Sequence, residues 1–298
     1  MVDATASKLL AVPIGAHDDG AASLSWRPDG AIFATGGHDG RVKFWDAATA
    51  RQAGEVEFGR DWIGKVVYHP RRSDLAVAAG RIIRVLSEEG QVVYESAPHD
   101  STIADVEWSP DGSGLAVAAY NGVSLHVPGR LPRPRRFEWK GSSLTLAWSP
   151  EGRYIATGEQ DSTVHFWDVK SGKDCQMWGF STKVRELAWY RTGDYLVTGG
   201  GESVVMWDCR GKGPQGKTPR MFEGHLGRVT QLCFQRRGDS LASADVDGVV
   251  MLWTPLQSSS PLDGRAFASE VTRLSWSPDD QRLAVGLRNG IVSVLSVA

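Results

Sequence analysis

The chain repeats one short arrangement of apolar and polar positions seven times. Most copies contain two apolar residues three positions apart and then an aromatic residue two positions later, as in Ile103-x-x-Val106-x-Trp108. The aromatic anchors of the seven copies follow one another at intervals of 40 to 45 residues: Trp26, Tyr68, Trp108, Trp148, Trp189, Phe234 and Trp276. Self-similarity at such a period is typical of a repeat architecture, so it governs the interpretation of the whole chain.

Every copy predicts the same series of short strands. After the anchor comes a turn segment such as Pro110-Asp111-Gly112, and then a second apolar run such as Leu241-Ala242-Ser243. Asx-Gly pairs such as Asp39-Gly40 and Asn289-Gly290 then indicate two-residue hairpins, because both central residues must accept positive φ. A third apolar run and a fourth, more polar strand complete the copy. No stretch keeps an apolar period of 3.6 residues, so we predict almost no helix.

Four antiparallel strands cannot bury both faces alone, but radial packing of such sheets solves this problem. We therefore predict an all-β fold, a seven-bladed β-propeller of four-stranded antiparallel blades that forms a single domain over residues 1–298. The last copy supplies only three strands before the chain ends. An N-terminal strand of about residues 8–14 is expected to pair with them and to close the ring. Pro13 suits the outer edge of that blade, where one missing donor is tolerated.

Composition narrows the class of protein. The net charge of −2 and the pI near 6.4 argue against a dedicated nucleic-acid binder. The three cysteines form no C-x-x-C pair and the seven histidines show no ligand spacing, so we expect no disulfide framework, no metal and no cofactor. The N-terminus lacks the basic start and long apolar stretch of a signal peptide. We expect a cytoplasmic protein that is a monomer by itself and makes no contact with a membrane.

The residues at the ends of the repeats carry a family resemblance that covers nearly the whole chain. Gly224-His225, Asp247-Gly248 and Trp253 in one copy resemble WD-repeat proteins, as do Trp45-Asp46 and Trp167-Asp168 in others. The compact, alanine-rich copies with short loops look more like bacterial members of this family. The resemblance implies a β-propeller.

The resemblance also implies a hydrogen-bonded tetrad in each complete copy. It joins a His before the first strand, a Ser or Thr on the second, an Asp in the tight turn and a Trp that ends the third. Two copies match fully: His17, Thr35, Asp39 and Trp45 in one, and His225, Ser243, Asp247 and Trp253 in the other. A third copy keeps Thr157, Asp161 and Trp167 but has Trp139 at the His position.

The family implies a partner site on one face, the top, around the central channel. Two rows of positions are expected there, one just before each tight turn and one six residues before each anchor. These rows are chemically diverse, and their aromatic and basic members are good interface anchors. The candidate partner-binding residues are His38, Trp62, Tyr120, Gln160, Lys183, Arg228 and Arg288. Alternatively, Trp62 merely covers the second copy, whose turn is shortened to Ala79-Gly80-Arg81.

Two basic loops are expected on the opposite face or the rim. Their charged residues are Arg130, Arg133, Arg135 and Arg136 in one loop and Lys212 and Lys217 in the other. Such loops can attract an acidic partner by long-range steering, or they can simply be solvated. The overall charge argues against nucleic acid as their partner.

Catalytic chemistry has little support in the sequence. His17 with Asp39 could be a catalytic pair, but no nucleophile lies in a G-x-S-x-G elbow and no phosphate loop is present. We therefore predict a non-catalytic scaffold that binds a protein or peptide on the top face. One alternative is a propeller enzyme or small-ligand receptor with a site at the channel mouth. Another is a substrate adaptor of a ubiquitin ligase, since Trp207-Asp208-Cys209-Arg210 resembles the W-D-x-R run of such adaptors.

Overall fold

The computed structural model describes residues 17–129 and 133–297 of the chain. These residues form 25 β-strands, and no helix occurs among them. They fall into two compact units, one ending at Leu146 and the other beginning at Ala147. The predicted all-β, antiparallel character of the chain is therefore confirmed.

The first unit contains the strands β1 to β10 and most of β11. Their bounds are β1 Ala21–Trp26, β2 Ile32–Gly37, β3 Arg41–Asp46, β4 Gln52–Glu57, β5 Ile63–Tyr68, β6 Leu75–Ala79, β7 Ile82–Leu86, β8 Val92–Glu95, β9 Asp105–Trp108, β10 Leu115–His126 and β11 Arg135–Trp148. Strands β1 to β4 form one antiparallel four-stranded sheet in chain order, and β5 to β8 form the next.

The second unit contains the remaining strands. Their bounds are β12 Tyr154–Glu159, β13 Val164–Asp168, β14 Asp174–Met177, β15 Leu187–Trp189, β16 Tyr195–Thr198, β17 Val204–Asp208, β18 Arg220–Phe222, β19 Val229–Phe234, β20 Leu241–Asp245, β21 Val249–Trp253, β22 Asp263–Ala266, β23 Val271–Trp276, β24 Arg282–Leu287 and β25 Val292–Ser296. Two four-stranded sheets, β15 to β18 and β19 to β22, precede a three-stranded sheet of β23 to β25.

The tight turns follow the predicted chemistry. Gly40, Gly248 and Gly290 all have positive φ, between +74° and +86°, as a hairpin of this kind requires. At Gly40 a Cβ atom would lie only 2.2 Å from the carbonyl oxygen of Gly59, so a side chain is excluded there by contact as well as by conformation.

A register shift recurs near the start of the first strand in four repeats. It lies between Ala21 and Ser23, and again at the matching positions of β5, β19 and β23. A shift of this kind increases the local twist of a strand. The repeat is thus conserved in backbone detail as well as in sequence.

Hydrophobic clusters lie between successive sheets within each unit. In the first unit, Ala34 and Val42 of the first sheet pack with Ile63, Val66 and Leu75 of the second, all almost wholly buried. The approach is close, since a Cβ on Gly36 would lie 2.4 Å from the Cγ2 atom of Ile63. Each sheet therefore depends on its neighbour for burial, as the repeat pattern predicts.

The number of sheets differs from the prediction. The strands form six hydrogen-bonded sheets rather than seven, because β9 to β14 share one six-stranded sheet in the order β14-β13-β12-β11-β10-β9. The cause is the 14-residue strand β11, which runs without a break from the end of the third repeat into the start of the fourth. The predicted closing strand of residues 8–14 lies outside the described residues.

Two further expectations concern cysteines and membranes. Cys175, Cys209 and Cys233 are free thiols, and burial raises the pKa of Cys209 to about 12, which makes it unreactive at neutral pH. In the described part of the chain, no helix is long and apolar enough to cross a bilayer.

Candidate protein-interaction surface

Trp62 is an exposed aromatic side chain at the start of a strand whose apolar residues are buried. It immediately precedes β5, and 65% of its surface is exposed. Its ring lies against that of His38, which directly follows β2, with 4.8 Å between the centroids. The His38 side chain is oriented in turn by a hydrogen bond between its Nδ1 atom and the carbonyl oxygen of Asp19, at 3.2 Å.

A cavity of about 310 Å³ opens beside this pair of rings. The cavity exists because three of its lining residues are small: Gly64, Ala78 and Gly80. Gly80 has φ of +55° in the shortened turn after β6, and its amide donates to the carbonyl oxygen of Trp62 at 3.3 Å. The short turn therefore fixes the backbone of Trp62 and keeps bulky side chains out of the cavity. We call Trp62, His38 and this cavity the Trp62 surface.

The other wall of the cavity comes from the next repeat. Thr102 and Ile103 lie just before β9, and Arg60 and Asp61 complete the rim. Thr102 occupies the same repeat position as Trp62, six residues before its anchor. Thr102 belongs to the row of positions six residues before each anchor but is not one of the predicted partner-binding residues. Asp61 and Ile103 lie outside both predicted rows, so the repeat pattern does not indicate them.

Tyr120 lies in the same unit, near but not within the cavity. It is 44% exposed, and its backbone amide donates to the hydroxyl of Ser101, next to Thr102, at 2.9 Å. The three candidates of the first unit thus comprise one contacting pair, His38 and Trp62, and one residue on an adjoining turn, Tyr120.

The four remaining candidates belong to the second unit. Gln160 and Lys183 are exposed. Arg288 is paired with Glu270, with 2.9 Å between Nε and a carboxylate oxygen. Arg228 lies 3.7 Å from the carboxylate of Glu186, which is buried and whose pKa is raised by that burial. Two of the predicted basic anchors are therefore already engaged with acidic side chains.

The two basic loops are partly neutralised. Arg130 lies outside the described residues, and Arg133 is exposed. The guanidinium of Arg135 lies over the ring of Phe137, with 4.9 Å to the centroid, and Arg136 is 3.4 Å from Asp100. The pairing of Arg136 with Asp100 reduces the positive charge that the first loop presents to a partner.

In the second loop, Lys212 is exposed, whereas Lys217 and Arg210 both contact Asp208, at 3.1 and 2.6 Å. The hydrogen bond from Arg210 lowers the pKa of Asp208. The arginine of the W-D-x-R run is therefore held by the aspartate of the same run.

The first tetrad has the geometry that the resemblance implies. The Nδ1 atom of His17 lies 2.8 Å from the carboxylate of Asp39, and its Nε2 atom lies 2.9 Å from the hydroxyl of Thr35. Trp45 donates its indole N–H to the same hydroxyl at 2.9 Å. His17 is wholly buried within this network, so the His–Asp pair binds its own repeat together and faces no cleft.

The second tetrad requires a correction. His225 lies 2.7 Å from Asp245 and 2.6 Å from the hydroxyl of Ser243, to which Trp253 donates at 2.7 Å. Asp247, assigned to this network from its offset, is exposed instead. The reason is strand geometry: side chains two positions apart point to the same face, so Asp245 reaches the histidine directly from β20.

The described residues give no positive support to metal or catalytic chemistry. No group of three His, Cys, Asp or Glu side chains among them is arranged to hold a metal ion. Burial lowers the pKa of His225, so this histidine is neutral at physiological pH and acts as a fixed hydrogen-bonding group.

Comparison with known proteins also indicates a repeat protein. A family model described as WD domain, G-beta repeat matches residues 7–46, 136–168, 174–208 and 216–254. B-type cell cycle switch protein ccs52B of Medicago truncatula is 22% identical over 252 residues, which cover 80% of this chain and 50% of that protein. The U3 small nucleolar RNA-associated protein 15 homolog of Xenopus tropicalis is 29% identical over 140 residues, covering 47% of this chain and 26% of that protein.

Protein HIR1 of Yarrowia lipolytica is 24% identical over 290 residues, covering 92% of this chain and 24% of that protein. The chain spans about half the length of these curated relatives or less. All three organisms are eukaryotes, so the relatives lend no support to the expected bacterial membership. The matches to the repeat model, the all-β sheets and the buried His–Ser/Thr–Trp networks agree, and the chain belongs to the WD40 repeat family of β-propeller proteins.

Proposed function

We propose that this protein is a non-catalytic platform that binds a partner protein or peptide through the Trp62 surface. The observation that carries the proposal is the 65% exposure of the Trp62 ring beside a preformed cavity. Exposed tryptophan that is already held in place loses little conformational entropy on binding, and tryptophan is enriched among residues that dominate binding energy. WD40 repeat proteins commonly act as interaction scaffolds or adaptors, which agrees with this role.

The setting of Trp62 distinguishes it from the other exposed tryptophans. Most tryptophans of the chain are buried in the repeats, for example Trp45, Trp167 and Trp253. Trp178 and Trp26 are 74% and 53% exposed, but neither ring lines the cavity beside Trp62 or another of the well-defined cavities of the described residues. Trp62 combines exposure, contact with the tilted ring of His38 and a cavity, as expected for an interface anchor.

We also propose partner contacts at Tyr120 in the first unit and, as separate positions of the second unit, at Gln160, Lys183, Arg228 and Arg288. Arg228 and Arg288 are held by carboxylates at 3.7 and 2.9 Å, so they would enter a complex with their side chains already ordered. An acidic partner segment on the basic loops remains an alternative, and exposed Arg133 and Lys212 are the positions that favour it.

We also propose that the two units form one domain of seven blades over residues 1–298, closed by the strand of residues 8–14. Asn121 and Gly122 within β10 both have positive φ, +71° and +101°, which is the conformation of a two-residue hairpin. This supports dividing β10 into two strands and the six-stranded sheet into two blades. The predicted cytoplasmic location and monomeric state belong to the same proposal.

The experiment is affinity capture from a cell extract with three tagged proteins. These are the wild type, a Trp62→Ala/Arg228→Ala double variant and a Trp178→Ala control, which removes a ring of similar exposure. We expect the wild type and the control to capture the same partners. The double variant should lose at least one of them by about tenfold or more, the scale of a residue that dominates an interface. Identical capture by all three proteins would refute the proposed surface.

A further inference from the structure

A second cavity lies in the first unit, between the first two sheets, at the far end of β5 from Trp62. Its volume is about 320 Å³. Trp62 precedes β5 and Tyr68 ends it, so the two cavities are separated by the length of that strand, about 17 Å for a strand of this size. The second cavity is therefore not part of the Trp62 surface.

The floor of this cavity is apolar and preformed. It is built from Ile32, Phe44 and Val56, contributed by three successive strands of the first sheet. Phe44 and Val56 pack against the buried cluster between the two sheets, which holds them in place. One wall is the turn at Gly90, whose φ of +78° and missing side chain let it approach the Val56 side chain, since a Cβ there would lie 3.2 Å from it.

Tyr68 lies in this cavity with a polar group that the protein does not satisfy. The side chain is 93% buried, since its exposure is 7%, and its hydroxyl forms no hydrogen bond with any residue that the structure describes. Burial raises the pKa of Tyr68 to about 12, so the phenol keeps its proton and can donate. The hydroxyl itself is not fully enclosed by the protein, so it faces the cavity and can donate to an incoming acceptor there.

The rim of the cavity is acidic. Its charged lining residues are three glutamates, Glu55, Glu88 and Glu89, against one arginine, Arg27. Arg27 lies 2.9 Å from Glu88 but is also shared with Asp29, and Glu55 is paired with Arg41. Glu89 accepts a hydrogen bond from Ser87 at 2.7 Å, which lowers the pKa of Glu89 and keeps it ionised. The rim thus carries negative charge that the lining residues do not balance.

We propose that this cavity binds a lysine or arginine side chain of a partner protein, a second contact beyond the Trp62 surface. The methylene stem lies on Ile32, Phe44 and Val56, as long basic side chains do on apolar surfaces. The cationic head pairs with Glu89 and Glu88 at the rim. The hydroxyl of Tyr68 donates to a carbonyl oxygen of the same partner segment. An anionic group would be repelled by the glutamates, and a purely apolar one would leave them and the phenol without partners.

The test uses the whole chain with ¹³C-labelled isoleucine methyl groups, so that Ile32 reports directly from the cavity floor. The probes are capped pentapeptides, Gly-Gly-Arg-Gly-Gly and Gly-Gly-Lys-Gly-Gly, with Gly-Gly-Glu-Gly-Gly as the control. A single side chain is expected to bind with Kd near about 1 mM, so titration extends to about 5 mM. The basic peptides should shift the Ile32 signal in a saturable manner, and the acidic peptide should not.

Two variants make the result specific. Glu89→Gln should weaken binding of both basic peptides about threefold, and Tyr68→Phe should weaken it by about the same factor, the scale of one exposed charge pair and one hydrogen bond. The matched control is Glu57→Gln, which removes an exposed carboxylate from the same sheet outside the cavity and should bind as the wild type does. Absence of a shift at about 5 mM, an equal shift with the acidic peptide, or an unchanged Kd in Glu89→Gln would each overturn the proposal.

Discussion

The carboxylate that serves the buried histidine differs between the two complete tetrads. In the first repeat the position two residues after the threonine is Gly37, where a Cβ would lie 2.2 Å from the Nδ1 atom of His17. The histidine ring therefore fills this space, and Asp39 reaches it from the turn. In the other repeat Asp245 occupies the corresponding position and binds His225 directly. The carboxylate that binds the buried histidine can thus come from either of two positions, because a strand places alternate side chains on one face.

This difference predicts unequal effects of two neighbouring substitutions. Asp245→Ala should lower the free energy of unfolding by about 2–3 kcal/mol, because it leaves His225 and two backbone amides without their acceptor. Asp247→Ala should change it by no more than about 0.5 kcal/mol, because that side chain is exposed. Urea unfolding of both variants measures the difference. Equal destabilisation, or a larger effect at Asp247, would contradict the assignment.

The sequence could identify the tetrads but not this detail. The offsets are the same in both repeats, and an aspartate stands at both candidate positions of the later one, Asp245 and Asp247. In the first repeat, the space that Gly37 leaves beside His17 determines that the carboxylate comes from Asp39 in the turn. The same holds for Trp62: its repeat position indicated an exposed side chain, but the cavity depends on Gly80 and on residues of the following repeat.

At the scale of strands, a buried polar relay links two neighbouring sheets of the first unit. Tyr94 of β8 lies 2.8 Å from the Nδ1 atom of His126 in β10, whose Nε2 atom lies 3.2 Å from that of His99. The Nδ1 atom of His99 donates to the carbonyl oxygen of Arg81, at 3.0 Å. This bond leaves the His99 Nε2 atom as an acceptor, so the contacts assign a donating Nε2–H to His126 and a donating hydroxyl to Tyr94. In this arrangement both imidazoles are neutral.

The relay predicts that stability falls as the solution becomes acidic. Burial lowers the pKa of His126 to about 4 and also lowers that of His99. Between pH 6.5 and about 4 the unfolded chain therefore binds more protons than the folded one, so the free energy of unfolding decreases as pH falls, by up to about 1.4 kcal/mol per pH unit for one such group. Urea unfolding at a series of pH values measures this slope.

The control for this prediction is His126→Gln, which cannot be protonated in this range. It should be less stable than the wild type at pH 7, because Tyr94 and His99 lose a partner, but its stability should depend less steeply on pH. Other buried histidines, such as His69 and His225, keep part of the slope in the variant, since burial also lowers the pKa of each. An unchanged slope would show that His126 is not held neutral by the fold.

The strands were predictable from the alternation of apolar and polar residues together with the turn residues. Their grouping into sheets was not. Strand β11 has no break at Lys140-Gly141, so two repeats that are separate in the sequence share one hydrogen-bonded sheet. The sequence period shows where one repeat ends and the next begins. Whether a strand continues across that boundary depends on the backbone hydrogen bonds formed there, so repeats and sheets need not have the same limits.

At the scale of the whole molecule, stability depends on neighbouring sheets that bury one another. The last sheet has three strands, β23 to β25, and Val292 and Val294 on its final strand are 58% and 44% exposed. Exposed apolar residues on an unpaired strand favour covering by another strand. The apolar segment Leu9–Ile14 has the length and pattern for this role.

This closure predicts the effect of a truncation. Deleting residues 1–15 should lower the melting temperature by about 5 °C or more, since a lost strand removes several kcal/mol of burial and backbone pairing from a domain of this size. Differential scanning calorimetry of the two proteins measures it. Deletion of residues 1–7 is the control and should have little effect. An unchanged melting temperature after removal of residues 1–15 would refute the closure.

The most direct test of the proposed function is hydrogen–deuterium exchange of the chain, alone and with a partner captured by the wild type. Binding at the Trp62 surface should slow exchange of the amides at residues 60–64 and 101–103, while exchange of those at residues 178–180, around the similarly exposed Trp178, should not change. Protection confined to other segments, such as the basic loop of residues 210–217, would contradict a partner site at Trp62.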